Sequence, residues 1–461
     1  MPQGQPLHFS AFVMNTASHI IHGLWRDPAG EQIRFNDLDL WVSLAKRLEA
    51  GGFDAIFFAD VVGLYGDYGG GWEHHARLGL QIPSNDPLVI LSALATHTEH
   101  LGLAFTAGPI QEPPFNFARR VSTLDHASNG RLAWNIVTST LENAWRNFGH
   151  DGRLAHDSRY ELADEYVDVL YKLWEGSWDD GALLADRESG IYADPSRIHK
   201  IDHVSEHYRV EGPHLVAPSP QRTPLLFQAG SSVAGRDFAA RNAEAQFIVS
   251  PDPVNAKKLI DDTRGLLEHH GRRREDIKFF QGLSFVIGST EDEARRKDAE
   301  LEEKIDVDGM IAHFGGSLGI DLGSYEAGTP IDLVHTEGGQ SGLAWLREST
   351  GGRTPTLGDV VRLRAKNTRV VGTPERIADQ LAEWRDAGVD GVNVVNQTIP
   401  GSYDDFIDHV LPVLRERGLA RREYEPGTLR RKLFGGDRLS ERHPAARYRG
   451  AFTPTAASAV G

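Results

Sequence analysis

The sequence predicts an α/β fold of the (β/α)8, or TIM, barrel type. Three observations carry this. Eight short apolar runs of strand length alternate with amphipathic stretches of helical period, and a last helix follows the eighth run. Polar residues gather at the C-terminal ends of these runs, where a parallel barrel builds its sites. The chain has 461 residues, against roughly 250 for a bare barrel. Two insertions and a tail account for the excess.

Leu7 to Met14 is the first apolar run. Leu38 to Ala50 has helical spacing and stops at Gly51-Gly52. Ala55 to Ala59 is the second strand and ends in Asp60; a Gly/Tyr-rich loop follows. Asp86-Pro87 starts a helix over Leu88 to Thr98. Leu101 to Thr106 is the third strand, and Phe115 to Ala127 its helix. Leu132 to Val137 is the fourth strand. It is apolar apart from Asn135 and runs into Thr138, Ser139 and Thr140. The helix after it, Tyr160 to Trp174, sets Leu162, Tyr166, Val169, Leu170 and Leu173 on one face. The next pairs are Thr223 to Ala229 with Gly235 to Ala243, and Gln246 to Val249 with Val254 to His270. Ile277 to Gly288 with Glu291 to Glu303 is the seventh. After the helical stretch Pro374 to Ala387 come the eighth strand, Gly391 to Asn396, and its helix, Tyr403 to Arg417.

No repeat or break in composition calls for a second domain. Residues 1–461 therefore read as one barrel domain. Its insertions lie at about 176–222 and 305–370, and a C-terminal arm at 418–461 ends in a segment of disordered character. Arg430 to Lys432 read as a solvated or packed surface.

There are 49 basic and 65 acidic residues, a net charge of −16. That disfavours nucleic acid and anionic membranes as partners. With no cysteine, disulfides, thiolate metal sites and a cysteine nucleophile are excluded. No apolar run reaches the ~18 residues of a membrane span, and the N-terminus lacks the pattern of a signal peptide. A cytoplasmic location is expected.

The strand ends supply Thr16 and His19, Asp60, Thr106, Ser139 and Thr140, and the turn Ala229, Gly230, Ser231, Ser232. This is an inventory for holding a polar ligand. The Gly-Ser-Ser turn at a helix N-terminus is the best phosphate site, with Arg159 and Tyr160 available to complete it. Other readings stay open. Asp60 also reads as the N-cap of a short turn, and His156-Asp157 as a helix cap. His19 and His22 have the H-x-x-H spacing of metal ligands without an evident third ligand. His313 is either a lid residue or loop surface. No nucleophile elbow, P-loop or H-E-x-x-H motif appears. A site rich in polar holders and poor in reactive groups points to a cofactor that carries the chemistry.

A resemblance becomes specific at H-I-I-H-G-L-W-R-D-P, F-F-A-D-V-V-G-L-Y, A-R-R-V-S-T-L-D-H, G-R-L-A-W-N-I-V-T-S, H-D-S-R-Y-E-L-A-D-E-Y and S-P-Q-R-T-P-L-L-F-Q-A-G. From Leu7 to about Arg449 the chain resembles bacterial-luciferase-like flavin-dependent monooxygenases of the nitrilotriacetate/dibenzothiophene-sulfone group, closest to its long-chain alkane branch. The resemblance implies reduced FMN as a diffusible cosubstrate, supplied by a separate NAD(P)H:flavin reductase, and molecular oxygen. It puts FMN ligands on Asp60, Thr106, Ser139, Thr140, Tyr160 and Ala229 to Ser232, with His156 nearby. It puts the substrate side on Thr16, His19, Tyr65, Gln81 and His313, with His19 or His313 exchanging a proton beside the ring. A homodimer or homotetramer is expected with it.

Thr16 and Thr140 stand where the alkane branch can carry Cys and His, and the residues around Gln340 to Thr354 follow no family pattern. These departures bear on the substrate. No Lys/Arg cluster accompanies Leu64, Tyr65, Tyr68 and Trp72. An uncharged, largely apolar compound is therefore expected: an alkane, an aromatic heterocycle or a sulfone. The competing readings are a deazaflavin-dependent oxidoreductase on the same barrel and a flavin-binding subunit without activity of its own.

Overall fold

The computed structural model describes residues 5–66, 68–230, 232–318, 321–331, 354–366 and 368–453. Eight parallel strands close on themselves: β1 (His8–Met14), β2 (Ala55–Ala59), β3 (Gly102–Ala107), β4 (Leu132–Ile136), β5 (Leu225–Gln228), β6 (Ala245–Ile248), β7 (Lys278–Ile287) and β8 (Gly391–Val395). Each pairs with the next in sequence, and β8 returns to β1 to close the barrel, with Ser10 opposite Asn393. The expected barrel is present, and each strand lies within a few residues of its expected span.

The strands are apolar on both faces because both are covered. On the outside, Phe9, Ala11 and Val13 of β1 pack under helices such as Leu38–Ala50, which buries Leu40, Trp41, Leu44, Ala45 and Leu48 at helical spacing. On the inside, Phe12, Phe57, Phe227, Phe247 and Phe280 fill the lumen, with neighbouring ring centroids 4.8–5.5 Å apart. The lumen is a packed core, so only its C-terminal mouth is free to hold a ligand.

The floor is closed by the C-terminal arm. Its helix Leu429–Phe434 sends Leu429 and Leu433 into the inner cluster. A Cβ on Gly102 would lie 2.8 Å from Leu429, so only glycine fits beneath this plug. Arg430 is 1% exposed. It donates to Glu244 at 2.7 Å and to the carbonyls of Thr223 and Pro224 at 2.9 Å. The expected surface run is thus in part a buried ion pair: Glu244, at the head of β6, supplies the charge that lets an arginine enter the core.

The first insertion carries a two-stranded hairpin, His203–Val204 against Arg209–Val210. The second holds structure that composition did not announce, helices Val307–Leu318 and Leu357–Lys366 and a short strand Arg369–Gly372 beside β7. Met310, Ile311, Leu357, Val360 and Val361 form a cluster of their own with Ile21 and Leu24 of the loop after β1. This holds the first of these helices over the barrel mouth. Glu73–Leu78 and Glu142–Asn147 are further short helices in the mouth loops. The tail segment 454–461 and most of Gln340 to Thr354 lie outside the described residues.

Candidate active site

The strand ends enclose a cleft of about 240 Å³. Asp60, Thr106, Ser139, Thr140, Tyr160, Ala229 and Gly230 all line it, so the barrel brings together seven residues dispersed in sequence. Gln228, at the polar end of the fifth strand, also lines it, as do Val61, Val62, Ala107 and Gln111; sequence reasoning did not single out these last four, because nothing in their type marks a site.

At one end the backbone turns tightly. A Cβ on Gly230 would lie 2.8 Å from the Tyr160 hydroxyl and 2.5 Å from Nε2 of Gln228, and one on Gly235 would lie 2.7 Å from the same hydroxyl. Two glycines thus leave the backbone and a phenol facing a small cradle. Gln228 accepts from the Gly230 N–H at 2.7 Å, and Gln246 donates to the Gly230 carbonyl at 3.1 Å, which fixes the turn. Ser232 caps the following helix, Val233–Asn242, by accepting from Gly235 N–H. Ser231 lies outside the described residues. Buried Arg159 donates to the Ser139 carbonyl at 3.3 Å and keeps its Nε without a partner among the described residues. His156 sits outside this cleft, exposed, with Asp157 2.8 Å away and its ring 5.4 Å from Tyr160.

At the other end Thr106 donates to the Phe58 carbonyl at 2.9 Å and accepts from Asn135 at 3.0 Å. Ser139 has φ +48°, a left-handed backbone for a non-glycine residue; such strain clusters at ligand sites. The Asp60 carboxyl is pushed up to about 7, chiefly by burial, with the charge of Asp86 adding and the Val61 N–H opposing. A carboxyl pushed towards neutrality in a cleft is a candidate for a functional role.

A second pocket of about 420 Å³ shares Asp60, Val61, Val62, Thr106, Ala107 and Gln111 with the first. Leu64, Leu88, Phe105, Phe117 and Phe148 give it apolar walls, and Gln81 lines it. Its arginine, Arg120, is neutralised by Glu112 at 2.7 Å and Asp86 at 3.7 Å. Thr16 is buried behind it; its hydroxyl donates to the Pro83 carbonyl at 2.7 Å, and its backbone bridges to Ser84.

The remaining expected residues form a histidine cluster beside these pockets. Tyr65 follows the lining segment Val61–Leu64, and its ring lies 4.9 Å from His313 and stacks on His75 at 5.9 Å. Nε2 of His22 is 2.5 Å from Nδ1 of His313. His19 packs its ring 4.9 Å from Phe12. Burial and their neighbours hold the imidazoles neutral: His19 is lowered to about 3, with His313 the second cause, and His313 to about 4, with Arg364 and His75 next. Among the described residues no set of His, Asp or Glu side chains is arranged to hold a metal ion, so the H-x-x-H spacing of His19 and His22 gains no third ligand. Nor is any described helix long and apolar enough to cross a membrane.

Residues 14–391 match the model of the luciferase-like monooxygenase family. The chain is 44% identical to a long-chain alkane monooxygenase of Geobacillus thermodenitrificans (strain NG80-2), over 96% of this chain and 98% of that one. It is also 44% identical to a dimethyl-sulfide monooxygenase of Hyphomicrobium sulfonivorans, over 96% and 94%. A crystal structure of riboflavin lyase with modified FMN and riboflavin superposes with a TM-score of 0.87 at 38% identity, covering 96% of this chain and all of that one. The chain therefore belongs to the luciferase-like monooxygenase family.

Proposed function

We propose that the protein is the oxygenase of a two-component system, taking reduced FMN from a separate NAD(P)H:flavin reductase and using molecular oxygen to oxygenate a small, uncharged, largely apolar substrate. The observation that carries this is the joined pair of pockets. One ends in a glycine cradle under the Tyr160 hydroxyl, and the other sets the apolar side chains of Leu64, Leu88, Phe105, Phe117 and Phe148 opposite a polar side of Gln81, Ser84, Asn85 and Asn147.

The cradle fits a monophosphate. Backbone N–H groups at a helix N-terminus, the free phenol of Tyr160 and the hydroxyls of Ser231 and Ser232 would hold it. Asp60, Thr106, Ser139, Thr140 and Ala229 would line the rest of the cofactor, with His156 at the rim. When bound, reduced flavin supplies the electrons that activate oxygen. The protein's own part is to orient, to exclude water and to manage protons. Gln81 would face the substrate, with Thr16 and Tyr65 backing the wall rather than lining it, and His19 and His313, neutral at physiological pH, would exchange a proton there.

The second pocket favours an uncharged substrate. Its lining carries Asp60, Asp86 and Glu112 against Arg120 alone, so an anionic guest would meet repulsion and find its cation already engaged. Alkanes, sulfides, sulfones and aromatic heterocycles fit this chemistry, and a polycarboxylate does not.

The test is oxygen-dependent product formation with reduced FMN across those classes and an aminopolycarboxylate. Turnover of the aminopolycarboxylate alone would overturn the substrate class. Tight binding of FAD with none of FMN would overturn the cofactor. Turnover driven by a reduced deazaflavin instead, or binding without any turnover, would favour the competing readings.

A further inference from the structure

The proposed function uses His313 and leaves out the residues behind it. Ser18 and His22 sit on the loop after β1, 3% and 0% exposed. The Ser18 hydroxyl lies 2.6 Å from Nδ1 of His22, whose Nε2 lies 2.5 Å from Nδ1 of His313. The far nitrogen of His313, Nε2, is on a half-buried ring packed against Tyr65 and makes no hydrogen bond among the described residues. A hydroxyl and two imidazoles are thus in line, each on the single nitrogen the next one needs.

The other end of this line meets a small pocket. Ser18, His19, Gln32 and Gln397 line a space of about 10 Å³, the size that holds one water. Nδ1 of His19 and Nε2 of Gln397 are buried there without partners among the described residues. With the Ser18 hydroxyl they offer a water the two to four polar contacts it requires. Ala17, Trp25, Gly30 and Thr398 at the rim are half-exposed, so the pocket reaches the surface.

We propose that Ser18 and His22 are positioning residues of a proton wire that connects His313 to solvent. It rests on the reading of the barrel mouth as the reaction site. His313 Nε2 takes a proton from the mouth and gives the proton on its Nδ1 to Nε2 of His22. His22 gives the proton on its Nδ1 to the Ser18 oxygen, and Ser18 gives its own proton to the water. One proton leaves, each imidazole ends neutral in its other tautomer, and no electron pair moves between molecules. Run backwards, the wire delivers a proton.

The surroundings explain why a wire is needed. His313 faces His22, His75, Tyr65 and the guanidinium of Arg364, and His22 also faces His19. Asp306 brings a carboxylate near: its N–H donates to the His22 carbonyl, but its Oδ1 is taken by the Gly309 N–H at 2.9 Å and it is not among the groups that shift either imidazole; burial opposes an imidazolium further. A lone His313 would have to hold a positive charge between steps; a tautomer shift along the wire avoids it.

The test compares the parent with Ser18→Ala and Ser18→Thr. With reduced FMN, oxygen and either dimethyl sulfide or hexadecane, Ser18→Ala should lower turnover by about 10²-fold, the low end for acid–base groups. It should also alter the pH profile and the solvent isotope effect, and Ser18→Thr should restore all three. In the ligand-free chain, ¹⁵N spectra of the imidazoles should show His22 in mixed tautomers in the parent and confined to the Nε2–H tautomer in Ser18→Ala. An unchanged pH profile, isotope effect and His22 tautomer in Ser18→Ala would overturn the wire. A parent that turns over no apolar compound would count against the function itself, and the imidazole spectra would then decide the wire alone.

Discussion

The phenolic oxygen of Tyr160 occupies the space into which a side chain on Gly230 would grow: a Cβ there would stand 2.8 Å away. Gly230→Ala must therefore displace either the phenol or the turn. Overpacking of this kind costs about 1–3 kcal/mol, and the displaced turn should weaken FMN binding by roughly ten- to hundredfold. Titration of the folded variant with reduced FMN checks it; parent-like affinity would place the phosphate elsewhere.

Tyr160→Phe tests the same cradle from the other side. Its hydroxyl makes no hydrogen bond within the described residues, so its removal leaves no described group unpaired. A hydrogen bond to a charged group is worth about 1.5–3 kcal/mol. FMN affinity should fall by that amount while the melting temperature holds.

The Arg430–Glu244 pair should behave as a buried ion pair. Arg430→Met leaves the Glu244 carboxylate uncompensated, a loss of about 3–5 kcal/mol. Adding Glu244→Gln should recover much of it. Chemical denaturation of both variants measures the difference, and equal loss in the two would mean that packing alone sets the cost.

Stability should fall on acidification. His8 and His19 are lowered to about 3, and His214 and His313 to about 4, all chiefly by burial. Unfolded histidines bind protons from about pH 6.5, so the stability from keeping these rings neutral is full above that value. It is lost towards pH 3–4, by up to about 1.4 kcal/mol per pH unit for each ring. Asp60 works in the opposite direction. Its folded value of about 7 exceeds its unfolded one of about 4, so its contribution is full below pH 4 and lost as pH rises through 7. Asp60→Asn should therefore gain stability relative to the parent as pH rises from 4 to 7, measured as the difference between two unfolding curves.

Glu112 should set charge selectivity. Its carboxylate is 13% exposed and engages Arg120 at 2.7 Å. Glu112→Gln frees the guanidinium towards the second pocket. The ratio of turnover on an alkanoate to turnover on the matching alkane should rise about tenfold, the low end for a freed charge contact. No change in that ratio would show that Arg120 does not face the substrate.

The barrel was legible because its strands are short apolar runs and its helices carry apolar residues at helical spacing, as in Leu38–Ala50. The cradle was readable only in combination: a Gly-Ser-Ser turn by itself is most often a plain loop, and it was the hydroxyls at the end of strand four that marked out Gly230 and its neighbours. What stayed hidden depends on distant partners. Helix Val307–Leu318 contains Gly309, Gly315 and Gly316, which hid its period. Only the fold sets its His313 against His22 of the loop after β1. Arg430 read as surface because its counter-charge, Glu244, is on another element. Nothing in the type of Ser18 sets it apart from any loop serine.

The plug under the barrel follows all eight strands in the chain, so it is made after every one of them. Until Leu429 and Leu433 arrive, the aromatic layer is open from below, and Glu244 carries its charge in an apolar wall. Chains that fold as they are synthesised complete their N-terminal parts first. The barrel is therefore sealed only after its strands are made, and a chain interrupted before Arg430 would leave its aromatic layer uncovered and Glu244 without its counter-charge.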